Sequence, residues 1–114
     1  MWVESGGVKK TCATPDPRFG KEWPQIAVDE VLANPHAAVK AKRCPDTLPA
    51  ITKWLKTRDP ETFKLVVESC VLVAKKGAPV RITCLGGKHR SPAIAKAVGK
   101  RLGVRVVHRD RGAK

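Results

Sequence analysis

The chain has 114 residues, which is the usual length of one domain, so one buried core and one principal site are expected. Its 23 lysines and arginines against 10 acids give a formal charge of +13, which favours polyanionic partners such as RNA or a phosphorylated metabolite over a membrane surface. No apolar run approaches the roughly 18 residues that a bilayer-spanning helix needs, so a membrane segment is excluded from the prediction.

The cysteines indicate a reduced environment. Four of them, at positions 12, 44, 70 and 84, are sparse and widely spaced, and no secretory leader pattern opens the sequence. We therefore expect free thiols and a cytoplasmic protein. The cysteines and the three histidines form no close pair of the kind that zinc sites use, so we predict neither a metal nor a cofactor.

The first half of the chain predicts few regular elements. Short strands are expected within residues 1–10 and at 11–13, and the proline-rich stretch 15–20 predicts a loop that leaves a strand end. Because such loops often carry ligand contacts, Asp16 and Arg18 are candidate ligand-binding residues, with a surface ion pair in a turn as the alternative. Apolar residues at 26, 28, 31 and 32 indicate a short helix within the proline-broken segment 21–45.

Two helices with clear apolar periodicity follow. The first is expected to begin after Asp46 as N-cap and to reach about Lys56, with apolar residues at 48, 51 and 55 on one face. Asp59 is expected to cap the second helix, with Pro60 at its first position. Cys70 lies on the apolar stripe of this second helix, and we expect it to pack in the core rather than to act as a reactive thiol.

The C-terminal part predicts a strand, a loop, a helix and a strand. Residues 80–84 have the β-branched character of a buried strand, Ser91 is a good N-cap, and Pro92 fits the first position of a helix over 91–102. A valine-rich strand is expected over 104–108. A strand, crossover helix and strand in this order form a βαβ unit with parallel strands.

These elements define an α/β fold class. We predict a single domain over residues 1–110, with a small, mostly parallel sheet flanked by helices, and a basic tail at 111–114. The strand–loop–helix–strand unit lies at the C-terminal end of this domain.

The loop of the C-terminal unit has the composition of an anion site. Its two glycines permit a tight turn and a close approach to a ligand, and the helix start directs backbone N–H groups into one concavity. Arg90 offers a planar fork for two phosphate oxygens, Lys88 a point charge and His89 a switchable donor. The Walker A pattern fails here at two positions. The predicted phosphate-binding residues are Cys84, Leu85, Gly86, Gly87, Lys88, His89, Arg90 and Ser91.

Cys84 supports a second interpretation. A thiol beside three basic side chains and a helix N-terminus ionises more readily than a free thiol. The spacing Cys-x5-Arg-Ser resembles the phosphate loop of low-molecular-weight cysteine phosphatases and arsenate reductases. This resemblance implies an enzyme in which Cys84 attacks a phosphoester or arsenate, while Arg90 stabilises the transition state. Ser91 would assist the thiolate and Asp16 would protonate the leaving group. The alternative is a small residue that only lines the anion site.

A wider resemblance covers most of residues 1–110. The loop, the helix after it, the ending His108-Arg109-Asp110, and the upstream Asp16-x-Arg18-Phe19 and Asn34-Pro35-His36 resemble the C-terminal domain of the RapZ family of RNase adapter proteins. The resemblance implies a stand-alone α/β domain that binds an amino-sugar phosphate and a small RNA, acts as an adapter rather than a catalyst, and self-associates. It also places four residues near the anion site: Asp16, Arg18, His36 and His108.

Basic residues are concentrated in the C-terminal half, where no acid occurs between Glu68 and Asp110. This density favours an RNA partner, although charge runs alone more often form a solvated surface. Aromatic residues are few, so phosphate and shape contacts are expected to dominate any RNA binding. The candidate RNA-binding residues are Lys96, Lys100, Arg101, Arg105, Arg109 and Arg111.

Overall fold

The computed structural model describes residues 2–7, 25–29, 31–76, 80–108 and 110. The strands are β1 Trp2–Gly7, β2 Gln25–Ala27, β3 Val80–Cys84 and β4 Arg105–His108. The helices are α1 His36–Lys40, α2 Leu48–Arg58, α3 Pro60–Ala74 and α4 Arg90–Leu102. All pairings in the sheet are parallel, in the order β2-β3-β1-β4. The predicted α/β class, with a small parallel sheet flanked by helices, is confirmed.

The first strand lies inside the sheet and carries its core. β1 pairs with β3 on one side and with β4 on the other, with Val3 opposite Val80. These two valines and Ile82 are fully buried, and so are Ile94 and Val98 on α4, which packs on β1 and β3. Burial of each such side chain stabilises the fold by about 1.5–3 kcal/mol.

The predicted crossover is parallel, but its two strands are not neighbours. β3 and β4 both pair with β1, which lies between them. The helix of this crossover lies very close to the sheet, since a Cβ atom on Gly99 would overlap the side chain of Val106. Because β1 pairs with β3, the carboxyl end of β1 lies directly beside the loop that follows β3.

The start of α3 follows its local sequence signals. Asp59 accepts a hydrogen bond from the Thr62 N–H at 3.0 Å, and Pro60 takes the first helical position, as predicted. The hydrogen bond from the Thr62 hydroxyl, followed by that from the Thr62 N–H, lowers the pKa of the Asp59 carboxyl below its usual value. α3 is the longest described helix, with 15 residues, and no helix in the described ranges is long and apolar enough to cross a membrane.

The start of α2 differs from the prediction. The N-cap is Thr47, whose hydroxyl oxygen accepts from the Ala50 N–H at 3.4 Å, and the helix begins at Leu48. The prediction that Asp46 caps this helix is therefore wrong. Thr47 is one residue closer to the first helical N–H groups, and Asp46 instead lies near His89.

The segment around residue 26 is a strand rather than the predicted helix. Ile26 lies in register with Ile82, and the Val28 N–H donates to the Thr83 carbonyl at 2.8 Å. Pairing with β3 satisfies the hydrogen-bonding groups of this backbone segment. Only one helical turn follows it, closed by a hydrogen bond from the Leu32 N–H to the Val28 carbonyl oxygen at 3.1 Å. The prediction of a strand within residues 1–10 is confirmed by β1, whereas the predicted strand at 11–13 and loop at 15–20 lie outside the described residues.

Cys70 is a core residue, as predicted. Its side chain has no exposed area, and burial raises the pKa of its thiol to about 12. Such a thiol is not ionised at neutral pH and contributes by packing. Within the described ranges, the thiols of Cys44, Cys70 and Cys84 are all free.

Candidate anion-binding site

The loop over residues 85–89 joins the carboxyl end of β3 to the start of α4. In open parallel sheets, ligands bind beyond the carboxyl ends of the strands, at the point where the strand order reverses. The order β2-β3-β1-β4 reverses between the neighbouring strands β3 and β1, because β2 follows β1 in sequence but lies beyond β3, whereas β4 follows β3 but lies beyond β1. The loop lies at the boundary between those neighbours, which is the position that such folds use for ligands.

The loop backbone packs directly on the end of β1. A Cβ atom on Gly7 would lie 2.7 Å from the Gly86 carbonyl oxygen, and a Cβ atom on Gly87 would lie 2.6 Å from the Gly6 carbonyl carbon. Gly87 also has a φ of 71°, in the left-handed region. The glycines at both ends of this contact therefore permit backbone-on-backbone packing. Sequence reasoning assigned Gly87 to the ligand and missed its partner glycines in β1.

Asp110 secures the same contact from beyond the end of β4. Its Oδ2 accepts a hydrogen bond from the Gly7 N–H at 2.8 Å. A Cβ atom on Gly87 would lie 2.8 Å from that oxygen, so the carboxylate also covers the loop. An acid next to a basic tail carries no local signal for this role, and sequence reasoning did not assign Asp110 to the site.

His108 has a structural contact near the same place. Its Nδ1 lies 2.7 Å from the hydroxyl oxygen of Ser5, which is fully buried on β1. The resemblance placed His108 near the ligand. The structure places it at the end of β4, and it is not one of the residues that line the pocket.

A pocket of about 280 Å³ opens beside the loop. The segment 34–36 forms one wall and the loop forms the other. The lining residues are Asn34, His36, Cys84, Leu85, Gly86, Lys88, His89 and Arg90. The structure therefore brings His36 to the predicted anion loop, with its ring centroid 6.0 Å from that of His89. Asn34 was missed as a site residue, although the Asn-Pro-His sequence that contains it was noted.

His89 connects the pocket to the start of α2. Its Nε2 lies 3.7 Å from Asp46 Oδ1, and its side chain is largely buried, whereas that of Asp46 is largely exposed. The Asp46 carboxylate therefore lies within ion-pairing distance of His89, at the side of the pocket that faces the start of α2.

Arg90 has a structural role in addition to its place in the pocket. The side chain is 7% exposed, and its Nη1 donates to the carbonyl oxygens of Asp29 at 2.9 Å and Leu32 at 3.3 Å. These bonds attach the turn after β2 to the start of α4. One nitrogen of the fork that the sequence assigned to phosphate is therefore bound to the backbone.

Cys84 is the first member of a chain of hydrogen bonds that ends in β1. The Gly87 N–H donates to the Cys84 Sγ at 3.3 Å, and the thiol donates to the Ser91 hydroxyl oxygen at 3.3 Å. The Ser91 hydroxyl donates to the Gly6 carbonyl at 3.2 Å. The thiol is 3% exposed, and Ser91 is fully buried. These hydrogen bonds join the loop to the start of α4 and to β1.

The role predicted for Ser91 as a helix cap is wrong. Its hydroxyl is directed to Gly6, and α4 begins one residue earlier, at Arg90, with His89 as an N-cap that makes no side-chain hydrogen bond. Pro92 is therefore the third helical residue rather than the first. The buried contact with β1 satisfies the hydroxyl in place of the local cap.

The structure describes four of the six candidate RNA-binding residues. Lys96, Lys100 and Arg105 are exposed, whereas Arg101 forms a two-point ion pair with Glu68 from α3. The hydrogen bond between them raises the pKa of Arg101 and lowers that of Glu68. Four candidates of the sequence analysis lie outside the described residues: Asp16, Arg18, Arg109 and Arg111.

A larger cavity, of about 620 Å³, lies among α2, α3 and α4. Its lining is largely apolar, and Lys56 Nζ lies 5.4 Å from the ring centroid of Phe63. Pro60 at the start of α3 lines this cavity, but no glycine loop does. We therefore assign the candidate anion site to the smaller pocket, which is lined by the glycine loop and by the first residue of α4, Arg90.

The chain is similar to longer bacterial proteins that are named nucleotide-binding proteins. That of Mycobacterium ulcerans is 44% identical over 70 residues, which is 56% of this chain and 22% of the relative. That of Parafrankia sp. is 48% identical over 55 residues, or 44% of this chain and 19% of the relative. That of Mycobacterium leprae is 38% identical over 93 residues, or 75% of this chain and 30% of the relative. The matched segments thus span less than a third of each relative. No protein-family model matches the chain.

The two loop glycines are expected to respond differently to alanine. Gly87→Ala places a Cβ atom against the β1 backbone at a positive φ, so we expect it to lower the free energy of unfolding by about 2 kcal/mol or more. Gly86→Ala is the matched control, since a Cβ atom there meets no atom within 4 Å, and we expect a change below about 0.5 kcal/mol. Urea denaturation of both variants measures the difference, and equal effects would contradict the assigned contact.

Proposed function

We propose that this chain is a RapZ C-terminal-like regulatory domain that binds a phosphorylated small metabolite at the 84–91 loop. One observation carries the proposal: the glycine loop after β3, the start of α4 and three basic residues lie around one pocket. Backbone N–H groups and the helix dipole favour an anion there, and the basic side chains add charge-assisted contacts. The name shared by the relatives supports a phosphate-bearing ligand in general.

The pocket favours a small hydroxylated ligand over a nucleoside triphosphate. Its volume of about 280 Å³ is at the lower limit of the range for small-molecule sites. Opposite the loop, the Asn34 Oδ1 accepts from the His36 N–H at 3.0 Å, which leaves the Asn34 amide group as a donor to hydroxyls. The rings in the pocket lining are two imidazoles, and no Walker A loop is present. These features support the amino-sugar phosphate that the RapZ resemblance implies.

The hydrogen bonds of Cys84 support a binding domain over an enzyme. The Ser91 hydroxyl donates to the Gly6 carbonyl and also bonds to the thiol, so the thiol is part of a contact that joins α4 to β1. Arg90 uses Nη1 on two backbone carbonyls. One observation favours the second candidate, a cysteine-dependent phosphatase: the Gly87 N–H points at the sulfur, as a thiolate would require.

We propose RNA as the second partner. Lys96 and Lys100 are exposed one turn apart on α4, and Arg105 is exposed on β4. Their chemistry suits backbone phosphates rather than base stacking, because the whole chain has three Trp, two Phe and no Tyr. With its free thiols, such an adapter fits the reducing cytoplasm, and we include self-association in the proposal.

Phosphate binding is expected to raise the melting temperature of the protein. An amino-hexose phosphate at about one hundred times its Kd should stabilise the fold by about 2.7 kcal/mol, and the same amino sugar without phosphate should not. Lys88→Ala should weaken binding about ten-fold, because one charge-assisted contact of roughly 1.5 kcal/mol is lost. Thermal denaturation and calorimetry measure both effects.

The control for Lys88 is Lys53→Ala, which removes an exposed lysine from α2, away from the pocket lining. It should bind the phosphate as the unmodified chain does. We choose Lys88 over Arg90 because removal of Arg90 also breaks the backbone contacts to residues 29 and 32. The absence of stabilisation by any phosphate compound would refute the anion site.

RNA binding is expected to weaken steeply with salt. Each neutralised phosphate contributes about −0.7 to the slope of log K against log salt for single strands. The double variant Lys96→Ala with Lys100→Ala should make the slope shallower by about 1 to 1.5, whereas Lys40→Ala with Lys53→Ala, which removes exposed lysines of α1 and α2, should leave it unchanged. Fluorescence anisotropy with a labelled RNA measures the slopes, and equal slopes in both double variants would contradict the proposed surface.

Cys84→Ser distinguishes the two candidate functions. In a binding domain it should preserve the phosphate-dependent rise in melting temperature, because a hydroxyl can keep the hydrogen bond to Ser91. In a cysteine phosphatase it should abolish turnover of an aryl phosphate. We expect no turnover by the unmodified chain under reducing conditions, and steady turnover that the variant loses would establish the enzyme instead.

A further inference from the structure

The cavity of about 620 Å³ among α2, α3 and α4 is separate from the proposed anion site, and its volume is in the range of small-molecule sites. The residues of α3 that line it follow the spacing of one helix face and extend from Pro60 to Glu68, about 12 Å along the helix. Ala97, Lys100 and Arg101 line it on α4 with the same kind of spacing. The cavity is therefore an elongated space between two helices, and we call it the helix groove.

The floor of the helix groove is apolar. Phe63 and Val67 of α3 line it, and they retain exposed fractions of only 4% and 6%. Ala97 lines it from α4, and this short side chain leaves room between the two helices. Transfer of a hydrocarbon group from water onto such a surface is favourable, whereas a polar group placed there loses its hydrogen bonds to water. The floor therefore suits a hydrocarbon chain rather than a sugar.

Lysine side chains border this apolar floor. The Lys56 Nζ lies 5.4 Å from the ring centroid of Phe63, which is within the distance of a cation–π contact. Lys64 and Lys100 also line the groove, and both are exposed. A ligand whose apolar part lies on Phe63 would thus have an ammonium group beside it.

The ion pair between α3 and α4 makes the two ends of the groove different. Among the described residues that line the groove, the acid is Glu68, and Arg101 binds it at two points. This pair is about two turns along α3 from Pro60, whereas Lys56 contacts a ring in the first turns of that helix. The Lys56 end is therefore the more positive end, and an anionic group is favoured there.

We propose that the helix groove binds a medium-chain fatty acid, with its acyl chain along Phe63, Val67 and Ala97 and its carboxylate beside Lys56. Such a ligand matches both parts of the groove, because it joins a hydrocarbon chain to one anionic group. No described residue lines both this groove and the anion pocket. The inference therefore goes beyond the proposed function and does not rest on it.

A series of fatty acids tests the acyl chain. Calorimetry of the full chain with hexanoate, octanoate and decanoate, each below the concentration at which it forms micelles, should show saturable binding. The Kd should fall about four-fold for each added methylene, because each one moves from water onto an apolar surface. Decanol should bind about ten-fold more weakly than decanoate, because it lacks the charge-assisted contact.

Two variants test the location of the site. Ala97→Leu should fill the groove and abolish decanoate binding, whereas Ala50→Leu makes the same change at a half-buried alanine of α2 outside the lining and should bind normally. Lys56→Gln should weaken decanoate binding about ten-fold and leave decanol binding unchanged. Lys53→Gln, at an exposed position of α2 outside the lining, should change neither.

Circular dichroism checks that each variant is folded, and the exposed Lys56→Gln decides the location if Ala97→Leu is not. The absence of binding by all three acids would overturn the proposal. Affinities that do not depend on chain length, or that both Ala97→Leu and Lys56→Gln leave unchanged, would overturn it as well. An amino-hexose phosphate should still raise the melting temperature of folded Ala97→Leu, which separates the helix groove from the anion site.

Discussion

The close contact between the end of β1 and the loop after β3 is the constraint on which the site depends. Gly7 and Gly87 lack Cβ atoms where two backbones meet, and Asp110 binds the Gly7 N–H from beyond β4. The carboxyl ends of three strands are thereby held together. The start of α4 is fixed by the same contact, because Ser91 donates to Gly6 in β1. The position of the anion pocket is therefore a consequence of the backbone packing in the centre of the sheet.

Two side chains that flank the loop contribute both to the fold and to the candidate site. Arg90 lines the pocket while it holds the turn after β2, and Cys84 lines it while its thiol donates to Ser91. A group with a fixed structural partner is poorly placed for the changes of charge and position that catalysis requires. The same fixation suits a binding site, where preorganised groups reduce the entropy lost on binding. This sharing supports the choice of a binding domain over a phosphatase.

Different regions of the described surface expose different kinds of side chain. α4 presents exposed lysines, the carboxyl end of β3 is followed by an open basic pocket, and α3 presents two exposed leucines. On a strongly basic chain this arrangement keeps the basic pocket apart from the exposed lysines of α4. The ion pair between Arg101 and Glu68 links α4 to α3 and removes one cation from the basic region.

The sequence by itself determined the elements whose causes are local. Asp59 and Pro60 define the start of α3, β-branched residues define β3, and the glycines and cations of the loop predict an anion site. Only the tertiary structure decided that β1 enters between β3 and β4, that Ser91 binds Gly6, and that Arg90 holds a distant turn. The physical reason is separation in sequence. A cap or an apolar stripe depends on residues within a few positions of each other, whereas these contacts join groups that meet only after the sheet has formed.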